Sequence, residues 1–305
     1  IVYTEYAGHA TRLTQQAVKD KFTIVVAVGG DGTVNEIGKA LINTDTALGI
    51  IPVGSGNGLA RHLDIPVNVK GSLQILNQAC IHKLDYGIIN DMPFFCTCGM
   101  GFDAFISMKF AEAGKRGVIT YVQKVLEEGL KYEPETYDIE DNEGTHHYKA
   151  FLVSVANASQ YGNNAYIAPQ ASMSDGMLDI IIMEPFDILD APQVAIEMFN
   201  KTLNKSSKIK TFKAKHIHIH RKKEGVIHFD GDPIMAGNDV DIKIVPRGIK
   251  VVVNPKEHKD KRKPNMIQTS FSQLFSNIDL IRSNLNKQGR KFQALNKTIL
   301  RKLNI

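Results

Sequence analysis

The chain has 305 residues, 43% of them apolar, and 37 Lys and Arg against 32 Asp and Glu give a net charge of +5. That length supports two hydrophobic cores, and no stretch approaches the roughly twenty apolar residues of a membrane span. Three cysteines, with Cys80 apart and Cys96 and Cys98 alternating on an expected strand, suit neither a disulfide framework nor a zinc ribbon and read as reduced core thiols.

The first element begins with Phe22, Ile24, Val25, Val26 and Val28, a β-branched run without alternation that predicts a parallel strand buried on both faces. It stops at Gly29-Gly30-Asp31-Gly32-Thr33. Val34, Ile37 and Leu41 then recur at helical spacing, which puts free N–H groups and the positive end of a helix dipole at the turn. Glycines let backbone amides approach an anionic oxygen. Asp31 among them would repel a phosphate unless a metal ion or a transferable proton stood between, so magnesium or base chemistry is expected.

A second strand, Ala47 to Val53, runs into Gly54-Ser55-Gly56-Asn57-Gly58 and a short helix through Leu59, Ala60 and Arg61. One glycine-rich loop is an ordinary βα turn about as often as a ligand site; two with polar residues argue for nucleotide phosphate. A P-loop is excluded by the lack of Gly-Lys-Ser/Thr. The first turn also lacks the Gly-x-Gly-x-x-Gly spacing of dinucleotide-binding enzymes.

Past Cys80 the pattern changes. Short segments rich in Val, Ile and Phe at Leu84 to Ile89, Phe94 to Thr97, Tyr148 to Ala156, Leu178 to Met183, Lys215 to His220, Val226 to Asp230, Val240 to Val245 and Ile249 to Val253 predict antiparallel strands. Helices are expected at Asp103 to Ala113, Ile119 to Leu130 and Ala191 to Leu203. His216, His218 and His220 share one strand face at a spacing seen in zinc sites, but with no Cys, Asp or Glu nearby in sequence they read as a solvated face. His146 and His147 read as turn residues. Lys109, Lys115 and Arg116 surround Gly114 and Gly117 in a basic segment that reads either as a contact with an anionic bilayer or as a plain exposed loop.

From Asn254 onward twelve Lys and Arg stand against three Asp and Glu, so the chain before it carries about −4 of the total +5. Phe271, Ile278, Leu285, Phe292 and Ile299 fall seven apart, predicting an amphipathic helix with a basic face, broken at Gln288-Gly289. It could rest on an anionic bilayer, the protein's own body or a partner subunit. No aromatic-interleaved basic motif supports nucleic-acid binding.

Gly29 to Glu36, Pro52-Val53-Gly54-Ser55-Gly56-Asn57 and Leu59-Ala60-Arg61 together resemble the diacylglycerol kinase catalytic domain family, which includes soluble bacterial lipid kinases and, more distantly, sphingosine and ceramide kinases. The resemblance continues through Gly99-Met100-Gly101-Phe102-Asp103, Val155-Ala156-Asn157, Pro169, Ser174 to Asp179 and Asp230-Gly231-Asp232-Pro233. It implies an α/β nucleotide-binding domain with a parallel sheet at residues 1–82, an antiparallel β-sandwich lipid-substrate domain at 83–253 and a basic helical tail at 254–305. The active cleft would lie between the first two.

The resemblance also implies roles. ATP phosphates would be held by Gly29, Gly30, Asp31, Gly32, Thr33, Val34, Asn35 and Glu36, with Thr4, Gly54, Ser55, Gly56 and Asn57 adding nucleotide contacts. Asp230 or Asp232 would be the general base, Asp232 standing where the family usually has Glu, and Asp31 is placed with them as catalytic. A structural Mg2+ site would use the Asp175 carboxylate and the carbonyls of Ser172 and Met177. The family's opening strand and Asn-Pro loop precede the position of Thr4, so this sheet is expected to lack one member.

The expected activity is ATP-dependent phosphorylation of a lipid hydroxyl, with diacylglycerol the favoured acceptor, by a cytoplasmic enzyme of phospholipid biosynthesis that touches the inner membrane surface. A homodimer is left open. The rivals are an NAD kinase, whose family shares the Gly-Gly-Asp-Gly turn, and a non-catalytic lipid-binding or regulatory protein.

Overall fold

A computed structural model describes residues 1–113, 132–186 and 190–255. The helix expected at Ile119 to Leu130, Lys115 and Arg116 of the basic loop, and the tail from residue 256 lie outside the described residues. Among the described residues no helix is long and apolar enough to cross a membrane.

The first half alternates helix and strand: α1 (His9–Lys19), β1 (Ile24–Gly29), α2 (Asp31–Leu41), β2 (Ala47–Pro52), α3 (Gly58–His62) and α4 (Val69–Gln78). β1 and β2 pair in parallel, from Ile24 opposite Ala47 to Gly29 opposite Pro52, so both glycine turns leave the same sheet edge. β2 is buried along its length. β1 is not: it ends the sheet, and Val26 and Val28 are 37% and 60% exposed. The expectation of a strand buried on both faces therefore fails for β1, because no described strand or helix covers that side.

Antiparallel strands follow: β3 (Ile81–Ile89), β4 (Met92–Phe94) and β5 (Thr97–Gly101), then α5 (Phe102–Ala113), then β6 (Glu135–Asp141), β7 (Gly144–Ala150), β8 (Leu152–Ala156) and β9 (Leu178–Met183). After α6 (Ala191–Phe199) come β10 (Ile209–Ala214), β11 (His216–Arg221), β12 (Gly225–Phe229), β13 (Asp232–Ala236) and β14 (Asp239–Val252). One sheet runs β1-β2-β14-β11-β6-β7, with β3 also on β14 and β4 on β3. The other runs β10-β9-β8-β5-β12-β13. This is the α/β sheet and β-sandwich expected from the sequence. Inward residues of both sheets, among them Phe94, Met100, Tyr137, Ile139, Val155, Ile180, Ile217, Ile227 and Ile242, form one core. A second core gathers α1, α2 and β2 around Leu41, Leu48, Ile50 and Phe95.

Two segments read as single strands are corners where the chain changes sheets. Phe94 to Thr97 divides between β4 in the first sheet and β5 in the second, and Tyr148 to Ala156 divides at Phe151 between β7 and β8. The reverse holds at the end, where Val240 to Val245 and Ile249 to Val253 are one strand, β14, with a bulge between Val245 and Ile249. β14 joins the halves. It pairs with β11 and β3, and Val251 lies parallel to Leu48 of β2. The strands β6, β10 and β13 went unread because charged and polar residues break their apolar runs.

Candidate active site

The two glycine turns touch backbone to backbone. A Cβ on Gly54 would lie 2.3 Å from the Gly30 Cα, so only glycine permits the approach. Gly30 caps α2 in an extended conformation, leaving the first amides of the helix at the turn. Asp31 then locks the turns: its Oδ1 accepts from the Gly58 amide at 2.7 Å and its Oδ2 from the Asn57 amide at 2.9 Å. Asn57 sits in the left-handed region at φ 52°, and its side chain accepts from the Gly54 amide at 3.0 Å and donates to the Gly54 carbonyl at 2.7 Å. The carboxylate's charge is thus spent on two amides of the second turn.

Glu36 faces the other way. It accepts from the amides of Gly8 at 2.9 Å and Ala10 at 3.2 Å, capping the start of α1, while Thr4, four residues before Gly8, is exposed. Ser55 is exposed. Asn35 is buried in the helix face.

The acidic turn follows β12. Asp230, at φ 52°, accepts from the amides of Phe95 at 2.7 Å, Cys96 at 2.7 Å and Thr97 at 3.1 Å. These are the amides of the β4–β5 corner, so this carboxylate explains why the predicted strand breaks there. Burial pushes the Asp230 carboxyl up to about 6, against the pull of those three amides and of Lys39. Asp232, two residues on, is exposed and has no hydrogen-bond partner among the described residues.

Burial raises the Cys96 thiol at this corner well above its usual range, and the Asp230 and Asp31 carboxylates push in the same direction. Phe95 packs on α2 where a Cβ at Gly38 would lie 2.7 Å from its ring. Lys39 of the same helix holds its ammonium 4.6 Å from the centre of the Phe229 ring. Lys39 was not singled out from sequence, since one lysine on an amphipathic helix carries no signal.

The 172–177 turn lies against β3. Asp85, buried within that strand, accepts from the Gly176 amide at 2.8 Å and the Arg247 amide at 2.7 Å, while its own amide donates to the Met173 carbonyl. The buried Asn157 donates to the carbonyls of Asp85 and Phe95. Asp85 too was missed, though an acid amid apolar strand residues was a visible signal. Asp175 is half-exposed; its Oδ1 accepts from the Met177 amide at 3.1 Å and its Oδ2 pairs with Lys213 at 2.8 Å, which also reaches Asp179 at 2.9 Å. The residues present do not fit a resident cation there, because an ammonium already neutralises the one carboxylate that would hold it.

Of the three histidines of β11, His216 and His220 are exposed and His218 is half-exposed, close to the solvated face expected. The acids missing from their local sequence come from β14: His216 pairs with Asp241, and His218 and His220 both face Asp239. No group of three or more metal-ligating side chains is found among the described residues.

Residues 1–89 match the diacylglycerol kinase catalytic domain family, and residues 97–253 match the YegS C-terminal NAD kinase beta sandwich-like domain. An uncharacterised Synechocystis protein is 30% identical over 84% of this chain, which spans 57% of that relative's length. A diacylglycerol kinase of Bacillus subtilis is 28% identical, with 85% of this chain and 86% of the relative covered. The crystal structure of a diacylglycerol kinase from Bacillus anthracis superposes with a TM-score of 0.67 at 24% identity, covering 84% of this chain and 85% of that one.

Proposed function

The chain belongs to the lipid kinase family that joins a diacylglycerol kinase catalytic domain to a YegS-type sandwich domain, and from that premise we propose that it transfers the γ-phosphoryl group of ATP to the primary hydroxyl of a membrane lipid, diacylglycerol being the favoured acceptor. The observation that carries this reading is the Asp31 carboxylate, which joins the two glycine turns into one surface, and the reading is supported by an acidic turn, Asp230 to Asp232, held on the amides of the β4–β5 corner.

The amides at the start of α2 and in the Gly54–Asn57 turn hold the nucleotide phosphates, with the helix dipole favouring their charge. Asp31 keeps the two turns in register. Magnesium enters with ATP as part of the substrate, and when bound it spreads the charge of the loose transition state. Asp230 spends both oxygens on the corner and fixes the turn. Asp232, unengaged among the described residues, accepts the proton of the lipid hydroxyl. The lipid is met at the membrane surface.

Incubation with labelled ATP, Mg2+ and mixed micelles of diacylglycerol, sphingoid base or ceramide, with NAD as a separate acceptor, tests the reading. Label in a lipid is expected. Label in NAD, or in no product, would overturn it.

A further inference from the structure

Beneath the acidic turn lies a buried polar chain with no assigned role. His228, 1% exposed, is the penultimate residue of β12 and stands opposite Gly99 of β5. Its Nε2 lies 3.0 Å from the Asp103 Oδ2, in the first turn of α5, yet without the alignment of a hydrogen bond. Asp103 is 8% exposed, and the same Oδ2 accepts from the Tyr161 hydroxyl at 3.0 Å, which in turn lies 3.1 Å from the Ser154 Oγ. Burial and Asp103 hold the Tyr161 phenol well above its usual range, so it stays a donor. On the other side of the imidazole, Nδ1 accepts from the Gly231 amide at 3.4 Å. Gly231, at φ 89°, sits between Asp230 and Asp232.

We infer that His228 is a positioning residue for the Asp232 carboxylate: Asp103, itself held by Tyr161, keeps the proton on Nε2, so that Nδ1 remains an acceptor and pins the Gly231 amide. A carboxylate 3.0 Å from one imidazole nitrogen favours the proton there by its charge, which leaves the other nitrogen as the acceptor. The packing is built for this arrangement. A Cβ on Gly99 would lie 2.4 Å from the Asp103 Oδ2 and 3.1 Å from the His228 Nε2, so the strand residue facing the pair leaves them room only as glycine. A buried carboxylate and imidazole cost more to maintain than an apolar pair of the same volume, and the gain here is the orientation of one turn.

The inference rests on Asp232 as the base, and two isosteric variants separate the two nitrogens. In His228→Asn the Oδ1 replaces Nδ1 as acceptor for Gly231; in His228→Gln the amide replaces Nε2 and the acceptor is lost. With ATP and micellar diacylglycerol, His228→Asn is expected to keep kcat within about threefold, and His228→Gln to lose about tenfold or more with KM for ATP unchanged, since small misplacements of a reacting group cost that much. Asp103→Asn is expected to lower kcat in the native background and to add nothing in the His228→Asn background. Native kcat in His228→Gln, or an equal loss from Asp103→Asn in both backgrounds, would overturn the inference. Asp232→Asn serves as the separate control: if it turns over normally, the base assignment fails first.

Discussion

The Asp31 carboxylate and the Asn57 amide, 26 residues apart, meet at 2.9 Å and join the two glycine turns into one surface. The acid that looked like a metal ligand is here a clamp for backbone amides. Asp31→Asn sets an NH2 group against one of two amide donors, at a cost of about 1–3 kcal/mol. Expected is a rise in KM for ATP of roughly ten- to a hundredfold with the circular dichroism unchanged. Native KM and kcat in this variant would show that the clamp has no part in nucleotide binding.

Asp230 predicts a pH signature. Burial lifts its carboxyl from 3.8 to about 6 in the folded protein. A raised acid contributes stability fully below 3.8 and loses it as pH rises through about 6. The native protein should therefore lose about 2 kcal/mol relative to Asp230→Asn between about pH 4 and pH 6.5. Urea unfolding of both proteins across that range measures it, and a constant difference would refute the shift.

Lys213 bridging Asp175 and Asp179 predicts indifference to divalent cations at this turn. The native protein's melting temperature should not respond to Mg2+ or to a chelator in the absence of nucleotide. Lys213→Met strands two carboxylates, and its melting temperature should rise with added Mg2+. A Mg2+-dependent shift in the native protein would show that a cation displaces the lysine.

Burial raises the thiols of Cys96 and Cys98 far above their usual range, with neighbouring carboxylates adding to the effect. A thiolate is the reacting form. Cys80 and Cys96 are both half-exposed and Cys98 is buried, so iodoacetamide near neutral pH should label Cys80 first, Cys96 more slowly because its thiol is raised, and Cys98 only once the protein is unfolded. Equal labelling rates for Cys80 and Cys96 in the folded protein would refute the raised thiol.

Much of the fold could be read from the sequence because its signals are local. β-Branched runs, the two glycine turns and the helical spacing of Val34, Ile37 and Leu41 each act over a few residues. Where the reading failed, a distant group had intervened. The Asp230 carboxylate takes the Phe95 amide across 135 residues of sequence and turns an apparent strand into a corner. β1 has the composition of a buried strand, but its place at the end of the sheet exposes Val26 and Val28. The histidines of β11 find their acids only through the register with β14.

By itself, then, the sequence determined that this protein carries two glycine-rich turns on a parallel pair of strands, followed by a sandwich of antiparallel strands with an acidic pair near its end, since residue type and short-range spacing suffice for each. Only the tertiary structure decided what each carboxylate does. Asp31 and Asp230 sit next to glycine as Asp232 does, and both, like Asp85 of β3, spend their oxygens on backbone amides brought in from elsewhere in the chain. A carboxylate's role depends on which donors surround it, and those donors are assembled by the crossing of sheets rather than by adjacent residues.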